Sequence, residues 1–162
     1  MHKERINQLL STVGDGSGVT EMATTAAVYQ IIPASNEIYK LERMLLYIED
    51  LSFRADFYGA TAALTNGIIV TKEDGSGVID TLTPEPIKKL YHWGLVSGID
   101  VETSTDPGND ATIIRWTFSK GGGPLILDGR LGHFLKFNVQ DSLAALDSQL
   151  ANIQGTKIII DS

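Results

Sequence analysis

The residues that could carry out catalytic chemistry are few and scattered along the sequence. Histidine occurs only at His2, His92 and His133, and no two of them have the spacing of a helical metal-ligand pair. Glu49 and Asp50 are adjacent, so in a strand their carboxylates would point to opposite faces and could not work together as acid and base. A Gly-x-Ser-x-Gly nucleophile elbow is also missing from the sequence. The sequence therefore predicts a protein that is not an enzyme.

A polar segment at residues 106–110 is the one candidate for a metal site. Asp106, Asn109 and Asp110 carry oxygen atoms of the kind that Ca²⁺ prefers. The glycine and acidic spacing of an EF-hand loop is missing, however, and Pro107 with Gly108 is sufficient to make a turn. We therefore predict a turn that holds no metal, with calcium as the open alternative, and we predict no cofactor.

Composition limits the classes of partner. The 162 residues include 13 basic and 20 acidic side chains, for a formal charge of −7. This balance argues against binding to nucleic acid or to an anionic membrane, because both need a basic surface. Cysteine is absent, which excludes disulfides and thiolate catalysis. No apolar signal-peptide segment follows the first residues, so we expect synthesis and assembly in the cytoplasm.

Apolar and polar residues alternate in several segments, which is the pattern of half-buried β-strands. Ile114, Trp116 and Phe118 alternate with polar residues, and the same period of two recurs at 134–140. Pro, Gly and Asn turn signals separate these segments. The pattern predicts an all-β protein, an antiparallel sandwich of jelly-roll type. The main strands are expected at 28–32, 37–50, 68–70, 111–119, 134–140 and 149–159.

One helix is predicted between the strands, at about residues 84–94. Thr83 is a suitable N-cap, Pro84 suits the first helical position, and Glu85 favours the positive end of the helix dipole. Such a helix would cover an open end of the sandwich.

The N-terminal segment fits a second helix. Ile6, Leu9, Leu10 and Val13 are spaced at i, i+3, i+4 and i+7, and a glycine-rich stretch at 14–18 follows them. We predict an arm at residues 1–21 and a sandwich domain at 22–162, with these four side chains as subunit-docking residues. Packing of the helix on its own domain is the alternative.

Trp93 is the candidate contact for a sugar. Trp116 follows the buried period of its strand, whereas Trp93 falls off the apolar face of the predicted helix. An exposed tryptophan ring could stack on a sugar, as in β-sandwich lectins.

Several segments resemble small virion-associated proteins of tailed bacteriophages, over about residues 25–160. The resemblance rests on segments with no catalytic motif, at 37–45, 58–59, 64–68, 114–118, 127–129 and 131–133. It implies a jelly-roll-like sandwich on the outer capsid surface, and a capsid decoration or cement protein that stabilises contacts between shell subunits. The implied partners are the major capsid protein and further copies of this chain, as a homodimer or homotrimer. A receptor- or glycan-binding knob on a fibre or tail, with Trp93 as a contact, is the alternative.

Overall fold

We describe the protein from a computed structural model, which describes residues 1–22, 25–54, 56–59, 62–106 and 109–161. Within these ranges the chain forms ten strands and three short 3₁₀ helices. The helices are Leu90–Leu95, Phe118–Gly121 and Gly129–Leu131. The strands are β1 (His2–Leu9), β2 (Ala27–Ile31), β3 (Glu37–Asp50), β4 (Ile68–Asp74), β5 (Gly77–Thr81), β6 (Ile99–Asp106), β7 (Asn109–Thr117), β8 (Leu125–Asp128), β9 (Phe134–Val139) and β10 (Ser148–Ile159).

The strands form two sheets. Sheet A has the order β1-β10-β3-β7-β6, and β8 pairs with the first part of β3. Sheet B has the order β2-β9-β4-β5. Every pairing between these strands is antiparallel. The all-β antiparallel architecture predicted from the sequence is therefore confirmed.

The core lies between the inward faces of the two sheets. Met44, Leu46 and Ile48 of β3 are buried with Ile114 and Trp116 of β7, as the period of two predicts. Sheet B contributes its own alternate residues to the same cluster: Tyr29, Ile31, Ile68, Val70, Leu135, Phe137 and Val139.

Strand β3 is the centre of sheet A and carries a bulge. It pairs with β10 along its whole length, but Gln154 lies opposite Arg43 and Gly155 lies opposite Leu41, so Glu42 is the extra residue. A Cβ atom at position 155 would collide with the carbonyl oxygen of Lys40. The two backbones can approach this closely only because residue 155 is glycine.

The predicted N-terminal helix is wrong, because residues 2–9 form strand β1 at the edge of sheet A. All eight residues pair with β10, from His2 opposite Ile159 to Leu9 opposite Asn152. Ile6 and Leu10 fit a strand as well as a helix, since residues four apart share a face in both. The segment forms a strand because the edge of β10 supplies hydrogen-bond partners to its backbone.

The second predicted helix is also different in the structure. The residues from 84 to 89 are not helical, and only the 3₁₀ helix Leu90–Leu95 remains. Ile87 instead exchanges two backbone hydrogen bonds with Ile68, at 2.9 and 3.0 Å. The Thr83 hydroxyl accepts a hydrogen bond from the Val70 N–H at 3.4 Å and does not cap a helix. Among the described residues, no helix has the length and apolar character required to cross a lipid bilayer.

The position of β1 leads to a test of the N-terminal segment. We expect Leu10→Ala to lower the free energy of unfolding by about 2–5 kcal/mol, because Leu10 is fully buried and the change leaves a cavity. Val13→Ala is the control, since Val13 is 53% exposed and its truncation should change stability by less than about 0.5 kcal/mol. Urea unfolding measures both values. Equal effects of the two changes would contradict the placement of this segment in the core.

Candidate functional site

The four predicted docking residues do not share one face. Ile6 and Leu10 are buried in the core, at 5% and 0% exposure. Leu9 is half-buried on the outer face of sheet A, and Val13 is exposed in the following loop. These residues are therefore not arranged as the apolar stripe of a docking helix.

Trp93, the predicted sugar contact, is fully buried. Its ring stacks on Phe137 with the ring centroids 6.0 Å apart and meets Trp116 edge-on at 6.4 Å. The residue lies inside the 3₁₀ helix Leu90–Leu95, and this helix presents it to the core. Since no face of the ring is open, Trp93 has no surface on which a sugar could stack.

A chain of buried polar groups holds Trp93 in place. Its Nε1–H donates to the hydroxyl of Tyr58 at 3.4 Å, and that hydroxyl donates to Oε1 of Gln149 at 2.6 Å. The amide nitrogen of Gln149 lies 3.6 Å from the sulfur of Met22. These groups satisfy one another within the core, which is the usual condition for burying polar atoms. These hydrogen-bonded groups therefore have a structural role in the core.

The predicted calcium segment lies partly outside the described residues, since 107 and 108 and the side chain of Asp106 are not described. Asp110 is buried, and its Oδ2 accepts a hydrogen bond from the Phe53 N–H at 3.0 Å. That carboxylate oxygen tethers a loop. Over the described ranges, no group of three or more His, Cys, Asp or Glu side chains is placed to hold a metal ion.

A groove lies on the outer face of sheet A. It has a volume of about 570 Å³ and lies over the bulge between β3 and β10. Its lining residues come from β1, β3, β7 and β10 and the start of the helix after β7: Arg5, Ile6, Asn7, Glu42, Arg43, Thr117, Ser119, Gln154, Gly155 and Thr156.

The guanidinium group of Arg43 is held in a fixed position in this groove. Its Nε and one terminal nitrogen donate to Oε1 of Gln154, at 3.0 and 2.6 Å. A guanidinium carries five N–H donors, so three of them have no hydrogen-bond partner among the described residues. Because the direction of these donors is already fixed, the guanidinium group is suited to bind a carboxylate or another oxyanion.

The charge in the groove is opposite in sign to that of the whole chain. Arg5 and Arg43 both line it, and across the described ranges neither takes part in an ion pair. Glu42, the one acidic lining residue, is 3.7 Å from the ammonium group of Lys40. The groove is therefore a local basic site on an acidic protein, and it favours anionic groups of a partner.

An apolar row lies beside the groove on the same outer face. Leu150, Tyr47 and Ile113 stand opposite one another on three neighbouring strands, and Leu45 lies on the same face two residues before Tyr47. All four side chains are half-buried. Apolar groups next to oriented arginines are typical of protein contact surfaces.

A second, smaller cleft opens at the far edge of sheet A. It has a volume of about 440 Å³ and lies between β6 and the 3₁₀ helix Leu90–Leu95. Val101 and Tyr91 line it and are about half exposed, at 49% and 51%. Its lining includes no charged side chain, so it lacks the basic character of the groove.

The residues of the groove share no pattern in the sequence that would group them. Arg43 and Gln154 are far apart in the chain, and only the pairing of β3 with β10 brings them together. The one local signal was Gly155 within an otherwise regular strand pattern, which indicates a bulge or a close backbone approach.

Comparison with known proteins gives no relative: no family model matches the chain, and neither a curated protein nor a solved structure matches it. The functional argument therefore depends on the residues and the geometry.

The burial of Tyr39 can be tested through the dependence of protein stability on pH. Burial, followed by the charge of Glu37, raises the pKa of Tyr39 to about 12. Since the unfolded side chain ionises near pH 10, the stability contributed by neutral Tyr39 is full below about pH 10 and is lost as the pH rises toward 12. Tyr39→Phe should therefore flatten the fall in urea midpoint between about pH 10 and 12.

Tyr91→Phe is the control for this experiment, because it removes a hydroxyl from a half-exposed ring. An unchanged slope in the Tyr39 variant would show that this side chain is not held in its neutral form by the fold. Burial raises the pKa of Tyr58 as well, but its hydroxyl is part of the polar chain around Trp93, which makes it the less clean variant.

Proposed function

We propose that this chain is a non-enzymatic structural protein of a tailed-phage virion, a decoration or cement protein on the outer surface of the capsid. It would be assembled in the host cytoplasm and would stabilise contacts between subunits of the major capsid protein. The resemblance of residues 25–160 to small virion-associated phage proteins supports the class. The pairing of the strands, which carries the proposal, supports it independently.

Eight of the strands pair in a nested order, and this order supports a jelly roll. β1 pairs with β10, β2 with β9, β3 with β7 and β4 with β5, from the outermost pair to the innermost. Such nesting is what a long hairpin produces when it rolls up into two four-stranded sheets. β6 and β8 are additions beside this framework. Viral capsid domains are a major class of jelly-roll proteins.

The outer face of sheet A is the surface that we propose for attachment. It combines the apolar row of Leu45, Tyr47, Ile113 and Leu150 with the oriented guanidinium of Arg43. A shell protein that presents a carboxylate above an apolar contact would fill the groove and cover the row. Because arginine is enriched among residues that dominate binding, Arg43 is expected to carry much of the affinity.

The glycan-binding alternative receives less support. Jelly rolls also include lectins, so the fold alone does not separate the two functions. The aromatic side chain on which that alternative depended is Trp93, which belongs to the 3₁₀ helix Leu90–Leu95 and is buried in the core. Among the residues that the structure describes, no other observation singles out a sugar site.

The direct test of this function is the copy number in purified particles. A decoration protein should be present in a number comparable with that of the major capsid protein, because it occupies symmetric positions over the whole shell. Quantitative mass spectrometry of particles of the encoding phage measures this ratio. A value of only a few copies per particle would contradict decoration and favour a tail or fibre.

The attachment surface has its own test. We expect Arg43→Ala to weaken binding of the purified protein to particles that lack it by about 2 kcal/mol, or roughly thirtyfold. The matched control is Arg54→Ala, which removes an exposed arginine that lies outside the groove and pairs with Asp56. Co-sedimentation measures both affinities. Equal binding by the two variants would show that attachment uses another face.

A further inference from the structure

Sheet A has two long edge strands, β1 and β6, besides the four-residue strand β8 that pairs only with β3. Each long edge strand contains eight residues and pairs on one side only, β1 with β10 and β6 with β7. Over the described ranges, no other segment forms backbone hydrogen bonds to the outer side of either strand. An open edge of this length is a template for a further strand.

The ladders show which backbone groups face outward at each edge. Leu10 donates its N–H to the carbonyl of Ala151, and hydrogen-bonded positions alternate along an antiparallel ladder. The free N–H and C=O groups of β1 therefore belong to its odd-numbered residues, which include Lys3 and Arg5. The Thr117 N–H donates to the Gly98 carbonyl, so the even-numbered residues of β6 direct their N–H and C=O groups toward β7. The free groups of β6 therefore belong to residues 99, 101, 103 and 105.

The two edges carry opposite charges on the outer face of the sheet. Lys3 and Arg5 are exposed on β1 and take part in no ion pair over the described ranges. Asp100 and Glu102 are exposed on β6, where they pair with the exposed Lys120 at 3.2 Å and the half-buried Arg115 at 2.7 Å. Pairs of this kind are weak and leave the carboxylates open to a second cation.

The directions of the strands fix how two copies could join. Four antiparallel pairings separate β1 from β6, so these two strands run in the same direction. We propose that the basic edge β1 of one copy adds to the acidic edge β6 of the next as a parallel strand, which continues sheet A from copy to copy. Such a contact joins two different surfaces, so it closes into a ring or extends as a filament.

One register satisfies both the backbone and the charges. In a parallel ladder, a residue whose N–H and C=O groups face the neighbouring strand forms hydrogen bonds to two residues of that strand. These two residues lie immediately before and after the residue directly opposite. Val101 would bond to Lys3 and Arg5 of the next copy and stand opposite Glu4. Asp100 then stands opposite Lys3, and Glu102 stands opposite Arg5, with all four side chains on the outer face. A shift by two residues keeps the hydrogen bonds but loses one of the two charge pairs.

The competing symmetric contacts fit less well. Two β6 edges related by a two-fold axis would bring Asp100 and Glu102 of both copies together. The head-to-tail contact instead matches each strand with its complement, which gives specificity as well as attraction. This inference rests on the proposed function only for its location on a shell, because the contact itself is expected of the free protein.

Charge reversal on each edge provides the first experiment. The variant K3E/R5E has two acidic edges, and the variant D100K/E102K has two basic edges. Each should associate at least about tenfold more weakly than the wild type at low salt, measured by sedimentation velocity. Mixed in equal amounts, they should associate again, because each edge of one variant complements an edge of the other.

Cysteine cross-linking tests the register directly. The chain has no cysteine, so the pair Lys3→Cys and Asp100→Cys introduces the only thiols. Within one copy these positions are separated by four strand spacings, about 19 Å, which is too far for a disulfide. Oxidation should therefore yield multimers on a non-reducing gel. The control pair, Lys3→Cys with Asp80→Cys on β5 of sheet B, should yield far fewer of them.

Particle binding separates this inference from the proposed function. Each reversal variant should keep the melting temperature of the wild type. Particle binding that D100K/E102K retains as a monomer measures attachment alone, because Arg5 lines the groove whereas Asp100 and Glu102 do not. A wild type that stays monomeric at low salt would overturn the edge contact. Reversal variants that associate like the wild type, or that fail to recover on mixing, would also overturn it.

Discussion

The pairing of β3 with β10 is the constraint on which the rest of the structure depends. These two central strands run side by side for their full length, and β3 divides its other side between β8 and β7. Their inward residues supply much of the core, and their outward residues form the floor of the groove. The bulge at Glu42 links the two faces, because one extra residue turns Glu42 and Arg43 toward the same side of the sheet. A regular ladder would place only one of them there.

The core also depends on a small number of buried polar atoms. Trp93, Tyr58 and Gln149 come from the 3₁₀ helix, a loop and β10, and they are joined by two hydrogen bonds in the absence of solvent. An apolar core tolerates many arrangements of similar volume, whereas hydrogen bonds between buried groups require defined positions. These hydrogen bonds therefore fix how the 3₁₀ helix Leu90–Leu95 lies over the end of the sandwich.

The strands whose burial alternates clearly could be predicted from the sequence, whereas a segment whose spacing fits both the helical and the strand period could not. Ile114 and Trp116 alternate with Arg115 and Thr117, which is the period of two that a strand produces. Ile6 and Leu10 are four residues apart, a spacing that helix and strand share, and the preference for a strand comes from β10, which lies far along the chain. The helix expected near residue 84 failed for a related reason, since the partner of Ile87 is Ile68 on β4. Capping residues indicate where a helix could begin, but they do not outweigh a tertiary hydrogen-bonded partner.

The nested order of the strand pairs has a consequence for the time course of folding. β4 and β5 are neighbours in the chain and can pair early, but β1 has no partner until residues 152–159 have been synthesised. During translation β1 therefore emerges long before its partner β10, and its Ile6 lacks that partner until β10 has been made. Contacts of such long sequence separation slow folding and prolong the lifetime of unpaired strands. The charged residues Lys3, Glu4 and Arg5 oppose aggregation of this segment while it is unpaired.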